Sequence, residues 1–441
     1  MQTNSRRSRD SAGSPAVEIT DVVWPVPDVD HVRASWFDIS GSAGSYALNL
    51  DGWLVGEKSP LQAIEVSDEG TCFWRLAINV RRPDVQTLHT DVDWSLVTGF
   101  DHSISALKLP TEFDIEVGAL LKDGTRTSIA AVRGRRRPLP AVPSKVNPLI
   151  VTTLGRTGST WMMDLLGRHP EIVSFRPFQY EAKLVRYWTD ILGALSEPAS
   201  YRQALSAEIY GPDWWIGTDR QAPSPTAYDP EMERWLGGPN VAELAVLCKT
   251  RIDRFYEHAA TLQQKRDTRY FAEKTLPGTF REQVLPELYP GSKEVFLVRD
   301  FRDMASSILD FDRRRHFSGF MRPDGASDED FVRGDLRRDI GVLMNSWRKR
   351  SSSAFLLRYE DLVLEPEATL AALLEYLDLD PDNAVIEKML RVSGPDVPHE
   401  QHQTSVSAKK SIGRWQREEP LIQAACAEAF EDLLEPFGYS R

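Results

Sequence analysis

Cysteine is scarce in this chain of 441 residues: there are three, Cys72, Cys248 and Cys426, far apart and without a CxxC pair. That pattern argues against a disulfide framework or a cysteine zinc site, and it makes a reducing cytoplasm the expected compartment. Long apolar runs are lacking too. Nothing approaches the ~18–20 apolar residues that span a bilayer. Positive charge is in deficit: the formal net charge is −12. General nucleic-acid binding rests on displacing counterions from phosphates with a basic stripe, so no nucleic-acid partner is expected, although a local basic pocket is allowed. The N-terminal stretch MQTNSRRSRDSAGSPA is polar with no apolar segment behind it. It reads as a disordered tail over 1–16, neither signal peptide nor anchor.

Core material is plentiful. Hydrophobic residues make up 41% and aromatics 10% of the chain, enough at this length for two domains. Over 17–133 the segments AVEITDVVW, SYALNLDGWLV, CFWRLAINV and FDIEVGALL alternate apolar and polar residues or are rich in β-formers, with turn clusters such as GSAGS, EKSP and KDGT between them. Short, evenly spaced strands predict an all-β sandwich. Trp24, Trp36, Trp53, Trp74 and Trp94 fall here. They are expected mainly in the packing, with sugar stacking as the sharper alternative.

A basic run and four prolines follow in RGRRRPLPAVPSKVNP. This is linker composition, placed at 134–147, and its basic start reads as a solvated hinge. Beyond it the period changes. PLIVTTL, SKEVFLVRD and SAFLLRYEDL are apolar runs suited to buried strands, each followed by a helical pattern. Strands alternating with helices predict an α/β domain over 148–441. Its parallel sheet is flanked by helices, and ligands are expected beyond the carboxyl ends of the strands.

The first of these strands runs into LGRTGSTWMMDLL. Gly155 and Gly158 permit a tight turn, and Ser159 or Thr160 can open a helix. Several backbone N–H groups then converge at the positive end of the helix dipole, which makes an anion site. A nucleotide-hydrolysing loop reads GxxxxGK[ST], and here no Gly-Lys follows Gly155 at that spacing. Asp300, at the end of VFLVRD, is separated from its apolar run by an arginine, which weakens a magnesium-site reading.

Strand–R-x-G-S-T-W–helix resembles the 5′-phosphosulfate loop of the PAPS-dependent sulfotransferases. LVRDFRDMASSIL resembles that family's 3′-phosphate motif, with Arg299 at a strand end and Ser307 eight residues on. FAEKTLPG, RYEDL and KKSIGRWQREEP resemble its shorter segments. The resemblance spans about 147–441 and leaves the first 140 residues outside. It departs from the family at Phe301, where proline is usual, and at Arg156, where lysine is frequent.

The resemblance implies a P-loop-like fold, PAPS as co-substrate, adenosine 3′,5′-bisphosphate as product and no metal. It implies a cofactor site of Arg156, Thr157, Gly158, Ser159, Thr160, Trp161, Arg299, Ser307, Tyr359, Lys410, Ser411, Gly413 and Arg414. Arg156, Lys274 and the loop amides are assigned to the 5′-phosphate and the departing charge. An acceptor hydroxyl needs a base. The residue before Pro177, a place where glycan-acting relatives often carry glutamate, is Arg176, so Glu181 is assigned instead. The acceptor is expected to be a carbohydrate or glycolipid, and a homodimer is compatible with the reading.

His169, in GRHPE, is expected to be structural. HEQHQTS spaces its histidines three apart rather than four, so it is read as a segment over the acceptor site, with His402 or Ser405 in reach, rather than as a metal site. Trp214 and Trp215 are candidate sugar-stacking residues in a loop over 210–236. Two other readings stay open. One is a P-loop kinase or NTPase using ATP and magnesium; the other is a catalytically silent glycan-binding protein.

Overall fold

The computed structural model describes residues 15–440 apart from 24–30, 42–45, 69–70, 79, 95–96, 178–179, 197–229, 316–321, 323–324 and 392–407. Trp24, Trp214, Trp215, His402, Ser405 and residues 1–14 of the expected tail therefore lie outside the described residues.

The chain forms two compact units. One comprises 1–141, 188–249 and 279–288; the other comprises 142–187, 250–278 and 289–441.

In the first unit, two antiparallel sheets share one core. Strands β1 (Val17–Val23), β4 (Leu61–Asp68), β5 (Thr71–Ala77), β8 (Glu112–Leu121) and β9 (Arg126–Arg136) form a sheet in the order β1-β9-β8-β4-β5. Strands β2 (Val32–Gly41), β3 (Ala47–Gly56), β6 (Val80–Arg81) and β7 (Val97–Ser105) form the other, in the order β2-β3-β7-β6. β8 shows why: Phe113, Ile115 and Val117 are buried while Glu112, Asp114 and Glu116 are exposed. That two-residue period puts one face in the core. Leu48, Leu50 and Phe100 of the four-stranded sheet meet Ile64, Ile115 and Val132 of the other. Each such side chain taken fully out of water stabilises the fold by about 1.5–3 kcal/mol. Trp74 is buried in this core, Trp53 and Trp94 pack beside Val55, Val85 and Val92, and Trp36 is 49% exposed.

The basic run is not a hinge. Residues 133–136 belong to β9, where Arg133 and Arg135 share the exposed face, Arg136 takes the other, and acids meet them on both. Arg133 pairs with Asp114 at 2.9 Å and Arg135 with Glu18 at 2.7 Å. Arg136, whose side chain is fully buried, grips Glu287 with both Nη atoms and donates from Nε to the Leu109 carbonyl at 2.8 Å. Composition alone concealed these partners, because Glu287 lies 151 residues away in the chain.

The second unit is built on an all-parallel sheet of β10 (Asn147–Thr153), β11 (Ile172–Ser174), β12 (Tyr270–Thr275), β13 (Lys293–Val298) and β14 (Phe355–Arg358), in the order β11-β12-β10-β13-β14. Both faces are covered. Leu149, Val151, Val295 and Leu297 pack with Met162, Met163, Leu166, Leu370 and Leu374, whereas Phe296 and Val298 pack with Met304, Ile308, Ile340 and Ile422. Hence β10 reads as a continuous apolar run. The strand expected over SAFLLRYEDL stops at Arg358, and Tyr359–Leu364 is helical. From β10 the chain leads to β11 and then β12 on one side, while β13 lies on the other; this order places a ligand crevice at the carboxyl end of β10.

Candidate active site

The loop Leu154–Gly158 leaves β10 and opens the helix Ser159–Arg168. Gly158 has φ +84°, and a Cβ there would stand 2.6 Å from the Tyr359 ring. Only glycine meets both conditions. Arg156 is also left-handed, at φ +67°. No side chain caps the helix, so its first-turn amides are left for an anion. Thr157 turns inward: its Oγ1 is 2.6 Å from that of Thr153 and donates to the Leu154 carbonyl at 3.1 Å. Its hydroxyl therefore braces the loop.

Two groups of side chains meet this loop. The first lies beyond β13 and β14. Arg156 Nε donates to Ser307 Oγ at 3.2 Å, and its guanidinium lies 4.8 Å from the Phe311 ring centre. Arg299 is buried. Its Nη1 donates to the Arg156 carbonyl at 3.2 Å and its Nη2 to the Ser411 carbonyl at 2.6 Å, while its Nε is buried without a partner. Tyr359 lies beneath the Arg299 guanidinium at 4.9 Å, meets Trp161 edge-on, and its hydroxyl is 3.1 Å from Ser411 Oγ. Stacking on a ring helps to fix the position of each guanidinium.

The segment Ser411–Trp415 closes this group. Asp303 accepts from the Gly413 N–H at 2.7 Å and the Trp415 N–H at 3.0 Å. Burial raises the Asp303 carboxyl above its ordinary range, against those two bonds and the Arg299 charge. Arg414 reaches Ser306 at 3.0 Å and Asp310 at 3.1 Å. Lys410 is exposed. Sequence reasoning missed Asp303 and Phe311; the partners of Asp303 lie more than a hundred residues on, so no local spacing announces it.

The second group lies beside β12. Lys274, mostly buried, donates to Thr160 Oγ1 at 3.4 Å and pairs with Glu181 at 3.1 Å. Glu181 also pairs with Lys183 at 2.9 Å. Burial pulls Lys274 below the ordinary lysine value, with Glu181 opposing. Burial pushes Glu181 up, but Lys183 and Lys274 outweigh it and hold the carboxyl below its usual range. The structure thus joins Glu181 to Lys274, and it turns Arg156 toward Arg299 and Ser307 rather than toward Lys274. Neighbouring Glu273 is a brace: it accepts from Tyr256 Oη at 2.6 Å and from the Val185 N–H at 3.2 Å. His169 is buried after the loop helix, where its Nδ1 accepts from the Glu171 N–H at 3.1 Å.

Among curated proteins no sequence matches this one. A family model described as "Sulfotransferase family" matches residues 148–383. Among solved structures, similarity extends to the sulfotransferase domain from the Synechococcus PCC 7002 olefin synthase, at 17% identity over 69% of this chain and 100% of that one, with a TM-score of 0.39. A mouse sulfotransferase complexed with PAP shares 12% identity over 67% of this chain and 86% of its own, with a TM-score of 0.34. A sulfotransferase from Alicyclobacillus acidocaldarius shares 11% over 67% and 97%, with a TM-score of 0.32.

Proposed function

The chain belongs to the sulfotransferase family, and from that premise we propose that residues 148–441 move a sulfuryl group from PAPS to a hydroxyl on a carbohydrate or glycolipid. When bound, PAPS supplies the activated sulfuryl group and departs as adenosine 3′,5′-bisphosphate. The observation that carries this reading is the meeting of Arg156, Arg299 and Ser307 beside an uncapped helix N-terminus. The residues fit a doubly phosphorylated nucleotide. Arg299 keeps one buried N–H without an acceptor, a costly arrangement that a phosphate oxygen relieves. Arg299, Ser307 and the segment Ser411–Arg414 would hold the 3′-phosphate, with Tyr359 and Trp161 beside them. Residues Thr157–Thr160 would hold the 5′ side.

In this mechanism Glu181 removes the proton from the acceptor hydroxyl. It is a carboxylate at neutral pH, the form a base needs, and its two lysine partners hold it in that form at some cost in proton affinity. Lys274 sits between Glu181 and Thr160, so its ammonium can orient the base and neutralise charge developing at the loop. The sandwich would help to present the acceptor. The kinase reading is weaker: both Asp300 oxygens are taken by Arg302, at 3.0 and 2.7 Å, rather than held for magnesium.

The test is calorimetric titration with adenosine 3′,5′-bisphosphate, without magnesium, on wild type, Ser307→Ala and Arg299→Ala. Binding that weakens at least tenfold in each variant is the expected result. A wild type that ignores this nucleotide but binds ATP with magnesium sinks the reading and moves the kinase to first place.

A further inference from the structure

A second concentration of positive charge lies away from the strand ends just described. The helix Ser159–Arg168 begins at the loop, and at 1.5 Å per residue its far end is about 15 Å off. There a cavity of about 700 Å³ is walled by that helix end, by residues flanking β11, and by Gln263–Asp267 and Lys388.

One cation in this cavity is structural. Lys265 donates from Nζ to the carbonyls of Gly167 and His169, both at 2.7 Å, and also to that of Ile172. It thereby satisfies one carbonyl of the helix's last turn and two beyond it, and sits at the negative dipole end. Three further cations line the cavity: Arg176, Arg266 and Lys388. They are exposed and, among the described residues, enter no ion pair. Their mutual field is felt nearby. Burial, with Arg176 and Lys388 adding to it, brings Lys265 down to about 8.

Arg168, the fifth cationic side chain of the lining, is already paired with Asp164 at 2.5 Å; the other four are set against two carboxylates, Glu171 and Asp267. This local excess of positive charge sits in a chain whose net charge is −12. Like charges gathered in a concave site are repulsive until an anion enters. Gln263 donates from Nε2 to the Ser174 carbonyl at 2.7 Å, which holds this part of the cavity wall in place.

We propose that this cavity is a second ligand site, taking a small organic sulfate or phosphate monoester whose ester group lies among Arg176, Arg266 and Lys388. The site stands apart from the strand-end loop and does not depend on sulfuryl transfer.

Glucose 6-sulfate, glucose 6-phosphate and glucose are titrated calorimetrically into the full chain, its Arg299→Ala variant and a triple variant, Arg176→Ser, Arg266→Ser and Lys388→Ser. At least one ester should bind wild type and Arg299→Ala alike, more weakly as NaCl is added, and at least tenfold more weakly to the triple variant. The tighter ester identifies sulfate or phosphate as the natural group. Lys388→Ser alone, expected to weaken binding several-fold, replaces the triple variant should that one fail to fold. The proposal is overturned if neither ester binds or if glucose binds as tightly as its esters. It is equally overturned if affinity falls in Arg299→Ala and not in the lysine and arginine variants. Failure of adenosine 3′,5′-bisphosphate to bind would count against the strand-end reading and leave this one standing.

Discussion

Gly158 answers to its backbone and to its neighbour at once. Its left-handed φ costs an L-residue about 1–2 kcal/mol, and a Cβ would also press on the Tyr359 ring at 2.6 Å. Gly158→Ala should therefore destabilise the fold by roughly 2–4 kcal/mol and abolish adenosine 3′,5′-bisphosphate binding, read by thermal melting and calorimetry. His169 makes a different kind of statement. Burial, with help from Lys265 and Lys388, lowers its pKa from the ordinary 6.5 to about 4. The unfolded chain then binds a proton that the folded one refuses. Stability from this residue is complete above pH 6.5 and is lost as pH falls toward 4. Between pH 7 and pH 5 this amounts to about 2 kcal/mol. Denaturant unfolding of His169→Gln at both pH values should show a loss smaller by that amount; an unchanged slope would refute the assignment.

At the scale of elements, the helix Phe301–Arg315 does more than carry Ser307. Phe301, its first residue, is fully buried and lies edge-on to Phe437 at 5.4 Å and to Phe430 at 6.3 Å. Proline is comfortable at a helix start, so Phe301→Pro should keep the helix. It should still cost about 3 kcal/mol through lost packing, seen as a lower melting temperature with nucleotide affinity retained. Asp303, in the first turn of the same helix, fastens Ser411–Trp415 by two backbone bonds. Asp303→Ala should weaken adenosine 3′,5′-bisphosphate binding at least tenfold with a smaller effect on melting.

The sequence was legible where pattern is local. β10 shows as an apolar run because both its faces are covered, β8 shows as alternation because one is, and the loop's anion chemistry follows from Gly155 and Gly158. Elements set by distant partners were not legible. β11 has three residues, too few for any period. The arginines of β9 looked like a hinge because their acids come from elsewhere in the chain. The clustering of Arg156 with Ser307 rather than with Lys274 depends on a left-handed residue that no pattern marks.

At the scale of the molecule, the two compact units are not two consecutive stretches of sequence. The helix Thr279–Leu288 stands in the chain between β12 and β13 of the parallel sheet, yet it belongs to the unit that holds the sandwich. Its Glu287 is the partner of fully buried Arg136 and also accepts from the Leu139 N–H at 2.6 Å. Removing one member of such a pair strands the other charge, at about 3–5 kcal/mol. Glu287→Ala should show that loss in chemical denaturation, and the isolated stretch 15–141, which ends before this helix, should melt well below the same residues in the full chain. The arrangement also sets a timetable. Arg136 leaves the ribosome 151 residues ahead of Glu287, and at ~5–20 residues per second that is a wait of roughly eight to thirty seconds. For that interval the nascent sandwich carries an arginine whose acid has not yet been made, so its final closure belongs to the later part of translation, and chaperones have most to shield just before residue 288 emerges.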